Sequence, residues 1–116
     1  MFVYIVGSIE QNIFKLGVAG NPLKHLPSIQ AGSPYALSIL SEVCLKNRSA
    51  AVMAEKLGYQ DLSKYQGSRE WLVDVPSSLS TQFTNGHYLR ALSDKAGVSI
   101  VSRSDRTAPI GSANLQ

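Results

Sequence analysis

The chain has 116 residues, which is enough for one hydrophobic core and too few for two ordinary domains. Apolar residues make up 44% and charged residues 16%, a globular composition that excludes a disordered or coiled-coil chain. The net charge of +3 permits a polyanionic partner but does not by itself indicate one. The single cysteine, Cys44, excludes an internal disulfide and a cysteine-based zinc site, and its apolar neighbours predict a buried structural thiol.

The sequence predicts one domain over residues 1–102 and a polar, loose tail over residues 103–116. No stretch approaches the ~20 apolar residues of a membrane span. The first residues also lack the basic segment of a signal peptide. We therefore expect no membrane association and a cytoplasmic location.

The first two predicted elements form an antiparallel hairpin. Residues 2–6 are a buried strand, residues 7–12 a turn, and residues 13–18 a second strand with alternating apolar positions. A hairpin symmetric about Ile9 and Glu10 would place Tyr4 opposite Lys15. Two polar groups would then converge on one face of the sheet.

Helices and further strands follow in alternation. Asn21 and Pro22 predict the start of a helix that stops near Gly32, with a late start or a kink because Pro27 removes a backbone hydrogen bond. The alternation over residues 37–45 predicts a third strand with Leu37, Ile39, Val43 and Leu45 on one face. We then expect a helix over residues 50–59 capped by Asn47 or Ser49, an apolar run over 71–75, a helical stretch from about 76 to 97, and a closing strand over 98–101.

An ordered set of short motifs runs through residues 2–75. In chain order they are Val3-Tyr4-Ile5, Lys15-Leu16-Gly17 eleven positions later (15 minus 4), Asn21-Pro22-x-x-His25-Leu26, Gln30-x-Gly32-x-Pro34, Glu55, and Glu70-Trp71-Leu72. No single motif is specific, but the ordered set resembles the GIY-YIG endonuclease superfamily. It resembles the phage and bacterial branch, in which lysine often replaces the second motif tyrosine and an E-W-F motif follows a helix glutamate.

The resemblance implies a small α/β (α+β) fold, with a three-stranded antiparallel sheet flanked by helices and an extra helix and strand at the C-terminal end. It also implies hydrolysis of a DNA phosphodiester bond with one Mg²⁺ or Mn²⁺ ion. By this resemblance Tyr4 would be a general base, with Lys15 as the cation that lowers its pKa. Glu55 would hold the ion, which keeps several waters and needs few carboxylates.

One position departs from the family pattern. Where the family has an arginine, this chain has His25. A guanidinium stays charged and grips two phosphate oxygens, whereas an imidazole is mostly neutral at pH 7. Loss of such a contact typically costs ~2.7–4 kcal/mol, or about 10²–10³ in rate. Lys24 and Arg69 are the alternative cations, and Glu70 and Trp71 have either a phosphate-site role or a structural one.

Taken singly, these residues have simpler interpretations. Tyr4 in a buried strand is most simply a packing residue, Lys15 a solvent-facing strand residue, and Glu55 part of a solvated helix face. His25 and His87 lack metal-pair spacing, and we expect His87 on the surface. On the helical net Glu55 falls at the margin of the core, which suits a metal ligand.

Three functional hypotheses follow. The first is a GIY-YIG-type endonuclease that binds and cuts DNA. The second is a protein of a phage or mobile element that has lost hydrolysis and either holds nucleic acid or blocks a host enzyme. The third is an interaction domain with no nucleic-acid ligand. The His25 substitution favours the second over the first.

Overall fold

The computed structural model describes residues 1–104, and residues 105–116 of the expected tail lie outside the described residues. Within residues 1–104 the elements are, in chain order, β1 (Phe2–Ser8), β2 (Ile13–Ala19), α1 (Pro22–Ala31), β3 (Ser38–Leu45), α2 (Arg48–Asp61), a 3₁₀ turn (Ser63–Tyr65), β4 (Leu72–Val73), α3 (Ser77–Asn85), α4 (His87–Ala96) and β5 (Ile100–Ser104).

All neighbouring strands of the sheet are antiparallel, in the order β4-β2-β1-β3-β5. The expectation of a small α+β domain is confirmed. The expected three strands are the central ones, β2, β1 and β3, but within residues 1–104 the open sheet has five. Strand β4 has two residues, too few to show a period, and β5 extends to Ser104, two residues past the predicted domain boundary.

The register of the first hairpin differs from the prediction by two residues. Tyr4 pairs with Gly17, and Lys15 pairs with Val6. The connecting turn spans residues 9–12, so the hairpin is symmetric about a point between Glu10 and Gln11. A two-residue shift keeps every side chain on its face, because strand side chains alternate with period two. Tyr4 and Lys15 therefore still share a face, as diagonal rather than direct neighbours.

Strand β1 is apolar throughout because both of its faces are covered. Val3 and Ile5 belong to the larger core, into which α2, α3 and α4 pack. Tyr4 and Val6 belong to a smaller core on the opposite face, which α1 covers through Ile29. The chain thus has three layers, and the face that carries Tyr4 is the one under α1.

Strand β3 does not keep its four predicted residues on one face. Its pairing with β1 jumps from Ser41 to Ile39, so Leu40 is a bulge residue. The bulge shifts the alternation by one position. Leu37 and Ile39 therefore pack in the smaller core, whereas Val43 and Leu45 pack in the larger one. This prediction was wrong because a bulge leaves no signal in the apolar pattern.

Helix α1 begins at the predicted proline. The Asn21 side chain accepts a hydrogen bond from the Lys24 amide at 3.3 Å, and Pro22 occupies the first turn, where its missing amide costs nothing. Pro27 lies inside a continuous helix, so the predicted late start is wrong. The Asn21 cap fixes the start of the helix at Pro22, five residues before Pro27.

The last predicted helical stretch is two helices. Gly86 has a φ of 85°, a left-handed conformation that ends α3 and precedes α4. Phe83 and Tyr88, on either side of this break, stack edge to face with their ring centroids 5.2 Å apart. Among residues 1–104 no helix has the length and apolar character needed to cross a bilayer.

The β1–β2 turn is tied to the segment that follows β4. The Asn12 side chain donates a hydrogen bond to the Val75 carbonyl oxygen and accepts one from the Val75 amide, both at 2.9 Å. Asn12 has a φ of 52°, a conformation that asparagine tolerates better than most residues. This pair of bonds fixes the chain beyond Trp71 against the hairpin.

We predict that Asn12→Gly lowers the free energy of unfolding by about 1–3 kcal/mol through the loss of both bonds, since glycine accepts the same backbone conformation. Urea unfolding measures this change. Gln11→Gly, at an exposed position in the same turn, is the control for the added backbone entropy of glycine. Equal losses in the two variants would show that the Asn12 bonds contribute nothing.

Candidate functional site

Tyr4 lies across the backbone of its pairing partner in β2. Only 2% of its surface is exposed. A Cβ atom added to Gly17 would overlap the Tyr4 ring and hydroxyl, so the ring occupies space that any other residue at position 17 would fill. The phenol thus passes over β2 towards the outer part of the sheet, and glycine in the Lys15-Leu16-Gly17 motif is what permits this.

Lys15 lies on the same sheet face, beside the loop that precedes β4. Its Nζ atom is 3.5 Å from a carboxylate oxygen of Glu70 and 5.6 Å from the centroid of the Trp71 ring. An ammonium between a carboxylate and an indole face is held in place by charge on one side and by the ring quadrupole on the other. Glu70 and Trp71 therefore position Lys15.

Helix α2 brings Glu55 to the same region. The helix starts at Arg48, two residues earlier than predicted, and Asn47 caps it by accepting a bond from the Ala50 amide at 2.9 Å. Gly58 lets α2 approach β2 closely, because a Cβ atom there would overlap the Leu16 side chain. Glu55 is partly buried at the margin of the core, as its helical neighbours predict.

Tyr59 closes the outer edge of β2. Its hydroxyl accepts a hydrogen bond from the Leu16 amide and donates one to the Leu16 carbonyl oxygen, both at 3.0 Å. Strand β4 pairs only with Ile13 and Phe14, so the phenol does at Leu16 what a longer strand would do. The sequence analysis missed this residue. Its one signal is the four-residue spacing from Glu55, which places both side chains on one helix face.

The pKa values of Tyr4, Glu55 and Tyr59 are all shifted, and each is affected by the charge of Glu70. The pKa of Tyr4 is raised to about 12, mainly by burial and in addition by the negative charges of Glu55 and Glu70. Burial also raises the pKa of Glu55, as does the charge of Glu70, while Lys15 and Arg48 oppose the shift. The Tyr59 pKa is raised by burial and by Glu70, Glu55 and Tyr4. The Tyr4 and Tyr59 phenols are thus both affected by the Glu55 and Glu70 carboxylates.

The expected effect of Lys15 on Tyr4 is not what the structure shows. Lys15 was expected to lower the phenol pKa, whereas the Tyr4 pKa is raised, and burial and the two carboxylates are what raise it. The ammonium is instead directed towards Glu70, which screens its charge. At neutral pH Tyr4 is therefore a protonated phenol and a hydrogen-bond donor.

Beside these groups lies a cavity of about 230 Å³, which we name the Lys15 hollow. It is lined by Lys15, Ser28, Ile29, Gly32, Arg69, Glu70 and Trp71. Tyr4 and Glu55 do not line it. Both interact electrostatically with Glu70, which lines it, and Glu55 also interacts with Lys15.

His25 lines a second cavity, of about 220 Å³, together with Ala19, Gly20, Asn21 and Lys24. Ala19 is four residues beyond Lys15 on the same face of β2, and His25 lies about one turn of α1 before Ser28, so the two cavities are neighbours along the same strand and helix. Both His25 and Lys24 are exposed. The structure thus brings Tyr4, Lys15, Glu55, Glu70 and Trp71 together and places His25 and Lys24 at a neighbouring position.

The remaining sequence expectations concern residues outside this region. His87 is exposed, as expected. Cys44 is partly exposed rather than buried, because it alternates with Val43 and Leu45, which take the face of β3 that enters the larger core. Neither residue lines the cavities around Lys15 and His25.

The donor set near Lys15 suits a hard divalent cation. The negative charges of Glu55 and Glu70 affect each other, and carboxylate oxygens are the ligands that Mg²⁺ prefers. Across residues 1–104 no group of three histidine, cysteine or acidic side chains could bind a metal ion. A magnesium ion does not need such a group, since it binds through one or two carboxylates, waters and substrate phosphates.

No family model, no curated protein sequence and no solved structure matches this chain.

We predict that Glu55→Gln lowers the Tyr4 pKa from about 12 towards the ordinary tyrosine value of 10.0, because one of the two carboxylate charges that disfavour phenolate is removed. An NMR titration of protein labelled at tyrosine Cζ follows the phenol directly. Glu10→Gln removes a carboxylate from the exposed turn and should leave the titration unchanged. An unchanged Tyr4 titration in Glu55→Gln would show that the two groups lie far apart.

Proposed function

We propose that this chain is a GIY-YIG-type nucleic-acid-binding protein whose site hydrolyses DNA phosphodiester bonds with Mg²⁺ or Mn²⁺, at a rate reduced by the absence of an arginine at position 25. The observation that carries the proposal is that Lys15 and Glu70 pair at a small cavity, while Glu55 interacts with both of them and Tyr4 interacts with both carboxylates. The ordered motifs of the sequence concern these same residues. Shifted pKa values beside a concave surface are typical of functional sites.

Each residue has a role that follows from its surroundings. Glu55, with Glu70 beside it, would hold the ion, which when bound supplies positive charge that makes water more acidic and offsets charge on the phosphate. Lys15, held by Glu70 and Trp71, binds a phosphate oxygen as a point charge. Tyr4, protonated at neutral pH, orients the attacking water by hydrogen bonding.

The position of His25 supports the proposed reduction in rate. The exposed imidazole lies at a separate cavity beside Lys24, and it lacks the planar fork that binds two phosphate oxygens. Developing charge on the phosphate is then stabilised by Lys15 and the ion alone. The expected deficit is about 10²–10³ in rate.

A second candidate is a catalytically inactive protein that binds nucleic acid or blocks a host enzyme. The exposed face of α2 supports a protein partner, because Val52 and Met53 are 42% and 54% exposed and lie between Arg48 and Lys56. Apolar side chains flanked by cations suit an acidic partner surface. This candidate requires that DNA is not cut under any metal condition.

We predict that wild-type protein cuts supercoiled DNA slowly with Mn²⁺, that Glu55→Gln abolishes cutting, and that His25→Arg raises the rate by about 10²–10³. Agarose-gel assays at matched metal concentration measure all three. Lys56→Gln, on the same helix as Glu55 but exposed, is a control that should cut at close to the wild-type rate.

The outcomes separate the two candidates. If the wild type is inert and His25→Arg gains cutting that requires Glu55, the chain is a decayed enzyme and the inactive binding protein is the better description. If neither protein cuts with Mg²⁺ or Mn²⁺, hydrolysis is rejected for this site. Cutting that survives Glu55→Gln would assign the reaction to other residues.

A further inference from the structure

The Lys15 hollow contains groups that the proposed hydrolysis does not use. Ser28 lies in α1, Gly32 directly follows that helix, and Arg69 lies in the loop before β4. The cavity has a volume of about 230 Å³. Pockets that bury drug-sized ligands are larger, at about 300–1,000 Å³. The size of the cavity fits a single small unit of a larger ligand rather than a whole ligand.

The lining combines two kinds of surface. Lys15 and Arg69 supply positive charge, which the Glu70 carboxylate 3.5 Å from Lys15 partly offsets, whereas Ile29 and the Trp71 indole supply apolar surface and Ser28 supplies a hydroxyl. Two backbone hydrogen bonds hold Trp71 in place. Its amide donates to the Ser68 carbonyl oxygen, and its carbonyl oxygen accepts a hydrogen bond from the Gly67 amide. A nucleotide has the complementary parts, an anionic phosphate and a flat base with an apolar face.

The loop that forms one wall has a fixed and unusual backbone. Arg69 has a φ of 58°, which costs energy for a residue other than glycine. Its carbonyl oxygen accepts a hydrogen bond from the Gln66 side chain at 2.9 Å, which stabilises this conformation. The less favourable backbone conformation therefore occurs at a residue that lines the cavity.

We propose that the Lys15 hollow is a subsite for one unpaired nucleotide next to the phosphate bound by Lys15, so that the chain prefers single-stranded over duplex nucleic acid. This inference rests on the proposed function, because it takes the phosphate to bind beside Lys15. A base stacked within a duplex reaches such a cavity only after it is unstacked and unpaired, which has a cost that a single strand avoids.

The test fills the cavity without altering charge. A Cβ atom on Gly32 would meet only the Ile29 carbonyl oxygen, at 3.6 Å, and the residue has a φ of −93°, so Gly32→Leu introduces a side chain at the lining without strain. Ser28→Leu fills the cavity from the preceding turn of α1. Ala31→Leu adds the same side chain at an exposed position of α1 that does not line the cavity.

Fluorescence anisotropy with EDTA present measures binding of the full chain to a labelled mixed-sequence single strand, as DNA and as RNA, and to the matching DNA duplex. We expect wild-type protein to bind a single strand about tenfold more tightly than the duplex. Gly32→Leu and Ser28→Leu should each weaken single-strand binding about tenfold and leave duplex binding unchanged. Ala31→Leu should bind as wild type does.

Two results would overturn the subsite. One is wild-type protein that binds the duplex as tightly as either single strand, or binds none of them. The other is unchanged single-strand affinity in both filled variants. Because EDTA prevents metal-dependent cutting, failure of hydrolysis with the strand preference intact rejects the proposed reaction alone. Intact hydrolysis with no strand preference rejects the subsite alone.

Discussion

The contact between helix α2 and the outer edge of β2 is the constraint on which the site depends. Tyr59 occupies both the amide and the carbonyl of Leu16, and Gly58 allows the helix to come close enough for this. Burying an edge strand without such partners would cost the free energy of unsatisfied backbone groups. Since Glu55 is one turn before Tyr59, the same contact determines where its carboxylate lies.

The site keeps charges that oppose stability. The raised pKa of Glu55 means that its ionised form is less favourable in the folded chain than in the unfolded one. Its contribution to stability is therefore fully present below the ordinary glutamate pKa of 4.5 and is lost as the pH rises through the raised value. At neutral pH the protein holds two carboxylates and a buried phenol together at a cost, which a bound cation would relieve.

Much of the fold follows from local sequence signals. The apolar run of β1, the alternation of β2 and the two asparagine caps predict the hairpin, α1 and α2. The predicted hairpin register was wrong by two residues, but Tyr4 and Lys15 were still assigned to the same face of the sheet, because a shift of two residues does not change the face. The closing strand was predicted close to where β5 lies, but the Leu40 bulge and the short strand β4 could not be predicted, because they depend on pairing between distant segments.

The site itself was less predictable than the fold. The motif residues Tyr4, Lys15 and Glu55 could be chosen from their order in the chain, but the effect of their surroundings could not. Whether Lys15 lowers the pKa of Tyr4 depends on Glu70, whose carboxylate attracts the ammonium. Tyr59 belongs to no sequence motif. It can bond the Leu16 backbone only because β4 pairs with no more than two residues of β2 and leaves Leu16 uncovered.

Paramagnetic broadening by Mn²⁺ tests most directly whether Glu55 and the β2 residues around Lys15 surround one cation site. In the ¹⁵N-labelled protein, substoichiometric Mn²⁺ should broaden the backbone signals of Lys15, Leu16 and Glu55 first, and Glu55→Gln should remove this effect. Broadening that begins at the exposed turn around Glu10, or that is unchanged in Glu55→Gln, would contradict the account.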